Sequence, residues 1–359
     1  MDYTVFMADQ NDVYLTPEQV AERLQLAVET VYRWLRSGKL PGARMSAKAW
    51  RVAEHDVRSF MTKQNVSELL FEDYVRLHKL GVPDHEPSVP GKSRRVDYRL
   101  PFKGQTLWFE VKEFAEDPKS FGHGGGAYDP YVGIRSKIDK ASEKFREYDG
   151  ECCSLLFYNR TLNLNDICNP SNVLGAMLGN VSMRIPMDFQ RGIETGSPSW
   201  FFAQGAKLHK QKGTRISAVI ALEKFAVGQR EFRIALAKKE QGENRRFSWE
   251  EFFAFYEAQG EASGRTVLRV LVYENPYANK RLPEDVFSGP YDVRWGPVDD
   301  RRINKLYIGS ELAMLEGAEH EMGLRLGGPL LQKTKLQPWE DGYQSRKRRM
   351  TNAGYSSAR

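Results

Sequence analysis

Residues 94–112 contain three side chains whose types and spacing suit metal-assisted hydrolysis: Asp97, Glu110 and Lys112. Two carboxylates can share a hard divalent cation, and an ammonium beside them can hold water and steady negative charge on a substrate. The three become neighbours only if the stretch folds as a hairpin. Val96, Tyr98 and Leu100 alternate with polar residues, and so do Leu107, Phe109 and Val111 beyond Lys103-Gly104. That is the period of a half-buried strand pair. With the turn centred on Lys103-Gly104, Val96 faces Val111, Tyr98 faces Phe109 and Leu100 faces Leu107, so the apolar residues share one face. The same register sets Asp97 opposite Glu110 on the other face, with Lys112 two residues on. The plain alternative is a solvated strand carrying an opposite-charge pair at i, i+2.

The elements that must position this hairpin can be read on either side of it. Val66, Leu69, Leu70, Tyr74, Leu77 and Leu80 recur at helical spacing over residues 66–80, with Glu68, Glu72, Arg76 and Lys79 on the opposite stripe. Gly81 and Pro83 end that helix. Residues 85–89 are expected as a first strand. Ile134, Ile138, Ala141 and Phe145 mark a second helix over residues 134–148, and residues 152–158 read as a buried strand. The glycine cluster within residues 120–131, which holds His123, has no Gly-Lys-Ser/Thr opening a helix, so it is expected as a mobile loop rather than a phosphate cradle.

Asp97 followed by Glu110-Val111-Lys112 resembles the motif of the PD-(D/E)xK nuclease family, although Val96 stands where a proline often precedes the first acid. The order helix, three strands, helix, strand over about residues 66–158 is that family's core order. The resemblance implies an α/β (α+β) fold with a mixed central sheet, flanking helices and a restriction-endonuclease-like αβββαβ core. It also implies Mg2+, with Mn2+ as a substitute, held by Asp97, Glu110 and the Val111 carbonyl, while Lys112 orients or deprotonates the attacking water. An acid on the first helix often joins such sites. Phe71-Glu72 matches the common pairing, which makes Glu72 the expected fourth catalytic residue and Glu68 its substitute. A polar residue from the second helix is expected as well; Arg135, Lys137 and Lys144 are candidates that spacing alone does not rank.

Upstream, Thr16-Pro17-Glu18-Gln19 is a helix start, with threonine as N-cap, proline in the first turn and glutamine closing a capping box. A second helix over residues 29–37 ends at Gly38. A loop or wing at residues 39–44, a strand at residues 49–52 and a third helix over residues 54–61 follow. Two short helices, a tight turn and a wing make a winged helix-turn-helix. The run Leu15-Thr16-Pro17-Glu18-Gln19-Val20-Ala21, then residues 31–41 and Trp50-Arg51-Val52, resembles the excisionase-type, MerR-like DNA-binding domain. Between Thr30 and Ala53 there are six basic residues, Arg33, Arg36, Lys39, Arg44, Lys48 and Arg51, and no acidic one. Such a stripe suits phosphates, and Thr30, Arg33 and Ser37 on the second helix can face base edges. A helical protein–protein module with a solvated basic face is the alternative.

At 359 residues with 41% apolar content, the chain has ample length for more than one core. The reading divides it into a DNA-binding domain at 1–63, a nuclease-like domain with a C-terminal sheet extension at 64–330, and a basic tail at 331–359, expected to be disordered. No apolar run reaches the ~18–20 residues of a membrane span. The start, Met-Asp-Tyr-Thr-Val-Phe, has no export signature, so a cytoplasmic location is expected. Cys152, Cys153 and Cys168 lack metal-ligand spacing and are expected as reduced thiols. Strands are expected at 216–222, 231–238 and 267–273, and a helix over 248–258 with Ser248 as N-cap and Glu251 three residues on. Asn275-Pro276-Tyr277 and Gly289-Pro290-Tyr291-Asp292 are turns that either meet bases or pack. Glu319-His320-Glu321 is not a zincin motif, and no Gly-x-Ser-x-Gly occurs.

The combined expectation is a metal-dependent DNA endonuclease brought to double-stranded DNA by its helix-turn-helix, in a setting such as phage defence or a mobile element. The alternative is a sequence-specific DNA-binding transcriptional regulator with an inactive nuclease-like domain. A third is an RNA-directed or repair nuclease whose first domain docks a protein. Paired half-sites and paired cuts are both compatible with a homodimer.

Overall fold

The computed structural model describes residues 13–24, 26–44, 50–62, 64–114, 129, 131–159, 168–184, 187–188, 193–194, 199–259, 264–299, 302–322, 324 and 334–335. Lys48, His123 and most of the glycine cluster lie outside them, as does nearly all of the basic tail. The chain forms two compact units. The first is Met1–Leu77, Lys224–Arg269 and Ala313–Leu326; the second is His78–Glu223, Val270–Leu312 and Gly327–Arg359.

The first unit opens with β1 (Tyr14–Leu15), α1 (Pro17–Leu24), α2 (Val28–Ser37), β2 (Ala43–Arg44), β3 (Trp50–Ala53), α3 (Glu54–Thr62) and α4 (Val66–Leu77). The expected capping box closes α1: the Thr16 N–H donates to Gln19 Oε1 at 2.8 Å, and the Gln19 N–H donates to Thr16 Oγ1 at 3.3 Å. Gly38 ends α2 at φ 70°, a conformation that glycine adopts without strain. The strands form a small antiparallel sheet in the order β1-β3-β2. Val20, Ala21, Val31, Leu35, Leu40, Val52 and Val57 pack as the core beneath it.

Helix α4 stops at Leu77, short of the expected residue 80, because Lys79 and Gly81 both take positive φ. It is grouped with the first unit, whereas the sequence reading placed it with the second domain. Leu77 is exposed, and Glu68, read as part of the solvent stripe, is buried. Glu68 accepts the Asn65 N–H at 2.9 Å and a side-chain N–H of Asn65 at 3.3 Å, so it caps its own helix.

In the second unit, β4 (Asp84–His85), β5 (Tyr98–Phe102) and β6 (Gln105–Phe114) are followed by α5 (Val132–Lys144), a 3-10 turn at Phe145–Tyr148, and β7 (Cys152–Asn159). The expected strand at 85–89 shrinks to two residues. Glu86 turns to φ 46°, and the Pro87 and Pro90 nitrogens have no hydrogen to donate to a ladder. Then come α6 (Pro170–Leu178), β8 (Val181–Arg184), β9 (Met187–Asp188), β10 (Ile193–Glu194), β11 (Ser199–Phe202) and β12 (Ile216–Phe225). Helices α7 (Val227–Glu243) and α8 (Trp249–Gln259) belong to the first unit, and β13 (Val267–Glu274), β14 (Val293–Asp299), β15 (Arg302–Ile308), α9 (Ser310–Glu321) and β16 (Thr334–Lys335) complete the chain.

Among the described residues, one mixed sheet of 11 strands runs β4-β5-β6-β7-β12-β13-β14-β15-β16-β11-β8. The hairpin β5–β6 has the register expected from the sequence, Tyr98 against Phe109 and Leu100 against Leu107. Lys103 at φ 46° and Gly104 at φ 79° make its two-residue turn. β6 and β7 run parallel with Glu110 beside Leu155, and β7 and β12 are parallel too. Val111, Leu155, Leu156 and Phe157 are buried along this centre.

Further expectations meet the structure here. Residues 231–238 are helical within α7, not a strand: Phe232, Ile234 and Leu236 alternate, but the surrounding Gln, Arg, Glu, Ala and Lys are strong helix formers. The α8 cap forms as read, with reciprocal bonds between Ser248 and Glu251. The two turns are packing joints. Asn275 donates to the Gly213 and Ile216 carbonyls, and Asp292 accepts the Val270 and Gly289 N–H groups. Thr334 and Lys335 pair with β15 and β11, so the segment read as a disordered tail joins the sheet at that point. All three cysteines are buried and unbridged, and among the described residues no helix is long and apolar enough to cross a membrane.

Candidate active site and DNA-binding surface

Asp97 stands one residue before β5 begins, so it is not a rung of the ladder as the sequence reading had it. Its carbonyl accepts the Glu86 N–H at 2.8 Å, and its Oδ2 accepts the Val111 N–H at 2.7 Å. The carboxylate therefore takes a backbone donor of β6 where a strand carbonyl would otherwise sit, which brings it beside Glu110.

Along β6, Trp108, Glu110 and Lys112 share one face and Leu107, Phe109 and Val111 the other. The second face meets Phe287 edge-on at Phe109. The first is covered by α5 and its 3-10 extension: Tyr148 lies against Trp108 at 4.9 Å between ring centres, and Lys144 reaches Glu110. A strand face expected to be half-solvated is thus buried, and Glu110 is 0% exposed.

Two ammonium groups meet the carboxylates. Lys112 Nζ lies 3.1 Å from Asp97 Oδ2, 2.5 Å from Glu110 Oε1 and 3.0 Å from the Val111 carbonyl oxygen. Lys144 Nζ lies 3.3 Å from Asp97 Oδ1, 2.6 Å from Glu110 Oε1 and 2.8 Å from Glu110 Oε2. Of the three helix candidates, Lys144 is the one the structure brings to the pair. Ile134, Ile138, Ala141 and Phe145 form the buried stripe of α5, and Lys137 and Lys144, seven residues apart, lie on one flank of it. Lys137 donates to the Glu113 carbonyl at 2.8 Å, and Arg135 binds the Gly175 carbonyl and Asn180.

Burial, and then the Asp97 charge, push the Glu110 carboxyl above the usual carboxylate range, against the opposing pull of Lys112 and Lys144. Burial alone would lower the Lys112 ammonium, but Asp97 and Glu110 outweigh it and hold that group above the ordinary lysine value. Burial, followed by Lys112 and Lys140, lowers Lys137.

The donor set fits a hard divalent cation. Glu110 Oε1 is buried and receives no well-directed hydrogen bond, although both ammonium groups are within ion-pair distance. Two ammonium cations already converge on that oxygen, which marks it as a position that attracts positive charge. The available donors are all oxygens (two carboxylates and the Val111 carbonyl), which suit Mg2+ or Mn2+ with water completing the shell. Among the described residues no three His, Cys, Asp or Glu side chains gather as a metal site, so Asp97 and Glu110 stand as a pair. Glu72 is on α4 in the first unit, where it accepts from Gln64 Nε2 at 2.7 Å.

In the first unit, α2 presents Arg33, Arg36 and Ser37 to solvent, with Thr30 half-buried on the same helix and Lys39 exposed just past its end. Ser37 Oγ donates to the Trp34 carbonyl at 3.1 Å and Arg36 Nε to the Tyr32 carbonyl at 3.2 Å. Lys39 Nζ sits 4.6 Å from the Trp34 ring centre and 5.9 Å from that of Phe60, a seat the sequence reading missed because it joins two helices. Arg51 is half-buried on β3, with a guanidinium N–H to the Trp50 carbonyl. Arg44 lies on β2, and its side chain is outside the described part, as is Lys48 altogether. Residues 14–65 match the helix-turn-helix domain family. In the helix-turn-helix domain so defined, α2 is the second helix, the one that enters the major groove in this architecture, and it carries the exposed basic residues. Neither the curated proteins nor the solved structures contain a match to the chain.

Proposed function

We propose that this chain is a metal-dependent DNA endonuclease of PD-(D/E)xK type, brought to double-stranded DNA by its helix-turn-helix domain. The observation that carries the reading is the meeting of the buried Glu110 on β6 with the half-buried Asp97 just ahead of β5, with the Lys112 ammonium between them. The element order α4, β4, β5, β6, α5, β7 supports a restriction-endonuclease-like core.

Asp97, Glu110 and the Val111 carbonyl would hold Mg2+ or Mn2+, which when bound supplies Lewis-acid neutralisation of charge on the scissile phosphate. Asp97, fixed by the Val111 N–H, keeps the two carboxylates in one place without help from solvent. Lys112, beside both carboxylates, would orient or deprotonate the attacking water and steady developing negative charge. Lys144 adds a second ammonium from α5.

The test is incubation of the full chain with supercoiled plasmid and Mg2+ or Mn2+, beside Asp97→Ala and Lys112→Ala. Nicked or linear product from the wild type alone supports the endonuclease. Intact plasmid in every lane, with duplex binding retained, would leave a DNA-binding regulator with an inert second domain.

A further inference from the structure

We propose that Lys112 is a built-in occupant of the divalent-cation position, so that cation binding and the metal-free seat of its ammonium exclude one another. The inference rests on the reading above, in which Asp97, Glu110 and the Val111 carbonyl are the donors. Lys112 Nζ touches one oxygen of each of the three, at 3.1, 2.5 and 3.0 Å. Among the described residues, Lys144 Nζ shares Glu110 Oε1 with it but otherwise meets other oxygens, Asp97 Oδ1 and Glu110 Oε2, and does not reach the Val111 carbonyl.

Three oxygens from three groups converging on one nitrogen make a cation seat, and an ammonium has three hydrogens to offer them. A divalent ion at about 2.0–2.2 Å from the same oxygens needs the same lone pairs. A divalent ion held by those three oxygens would lie at the point where they converge, which is where Lys112 Nζ sits, so the two compete for one position; Lys144 shares only Glu110 Oε1 of the three. The arriving ion therefore turns Lys112 out. Its side chain is 28% exposed, against 0% for Glu110, so the flexible stem has an open side on which to leave. In the metal-free chain Lys112 and Lys144 together balance the two carboxylates, and Lys112 would be released toward solvent when a divalent ion is held.

The test measures metal binding in the DNA-free, full-length chain by titrating Mn2+ and following the free ion by electron paramagnetic resonance. Lys112→Met should bind Mn2+ about ten-fold more tightly than wild type while cutting no DNA. Lys144→Met should tighten it by clearly less, and Asp97→Asn should weaken it. Weakening by Asp97→Asn without tightening by Lys112→Met would overturn the placeholder and leave the nuclease reading standing. Equal tightening by the two lysine variants would overturn it too, since a general charge effect would then suffice. Mn2+ binding indifferent to Asp97→Asn, or no binding by any chain, would sink both. A second measurement needs no variant: in wild type, Mg2+ should raise labelling of Lys112 by an amine-reactive reagent, read by mass spectrometry, and leave Lys144 labelling little changed. Unchanged or lower Lys112 labelling would contradict the proposal.

Discussion

Glu110 is the residue on which the site turns. It is fully buried, it lies within ion-pair distance of one lysine on its own strand and one on α5, and its carboxyl is raised by burial and by Asp97. Removing one member of a buried ionic cluster leaves the others uncompensated, which typically costs about 3–5 kcal/mol. Glu110→Ala should accordingly lower stability by about 3 kcal/mol, read from chemical denaturation of the DNA-free chain; a change within about 0.5 kcal/mol would mean that the cluster is solvated. Asp97, Glu110 and Lys112 could be recognised in the sequence because a two-residue turn and a period of two fix their register locally. Lys144 could not be ranked above Lys137 or Arg135. Its role depends on which flank of α5 faces the sheet, and that is set by tertiary packing. Glu68, read as the substitute for Glu72, accepts the Asn65 N–H and caps its own helix, a bond that its place three residues on makes local.

The helix α8 shows how far element-level reading reaches. Its cap was legible because Ser248 and Glu251 lie three apart, yet Arg245, which binds the same carboxylate, was not anticipated. Hydrogen bonds from Arg245, and then from the Ser248 N–H, lower the Glu251 carboxyl from 4.5 to about 2. A lowered carboxyl stabilises fully above its ordinary value, and that contribution fades as pH falls from 4.5 to about 2. A side-chain 13C titration should place the Glu251 midpoint near 2, with amide protection in the first turn of α8 lost over the same interval. A midpoint at an ordinary glutamate value would show that the cap does not persist in solution. Residues 231–238 and 85–89 were misread for different reasons. In the first, a short alternating apolar run sat inside a stretch of strong helix formers. In the second, prolines and a left-handed Glu86 ended pairing early.

At the scale of the whole chain, a helix-turn-helix domain matched over residues 14–65 is combined with a large mixed sheet. The domain was readable because every mark of it is local: caps, a tight turn and an acid-free basic stripe. Beyond β7, the strands expected at 216–222 and 267–273 were legible as buried apolar runs and join the sheet as β12 and β13, whereas the far edge was not, since its neighbours come from distant parts of the sequence, such as β11 beside β16. If α2 contacts DNA, Arg33→Ala and Arg36→Ala in the full chain should each weaken duplex binding and flatten the slope of log affinity against log salt by about 1. Unchanged slopes would move the DNA contact elsewhere.

The most direct test of the central claim is single-turnover cleavage of a duplex substrate in Mg2+ by wild type and Glu110→Gln. That change keeps the side chain's shape and removes only its charge. Loss of rate by about 100-fold or more, with the fold intact by circular dichroism, is the predicted result. Equal rates from the two proteins, or no cleavage by either, would contradict a site built on Asp97, Glu110 and Lys112.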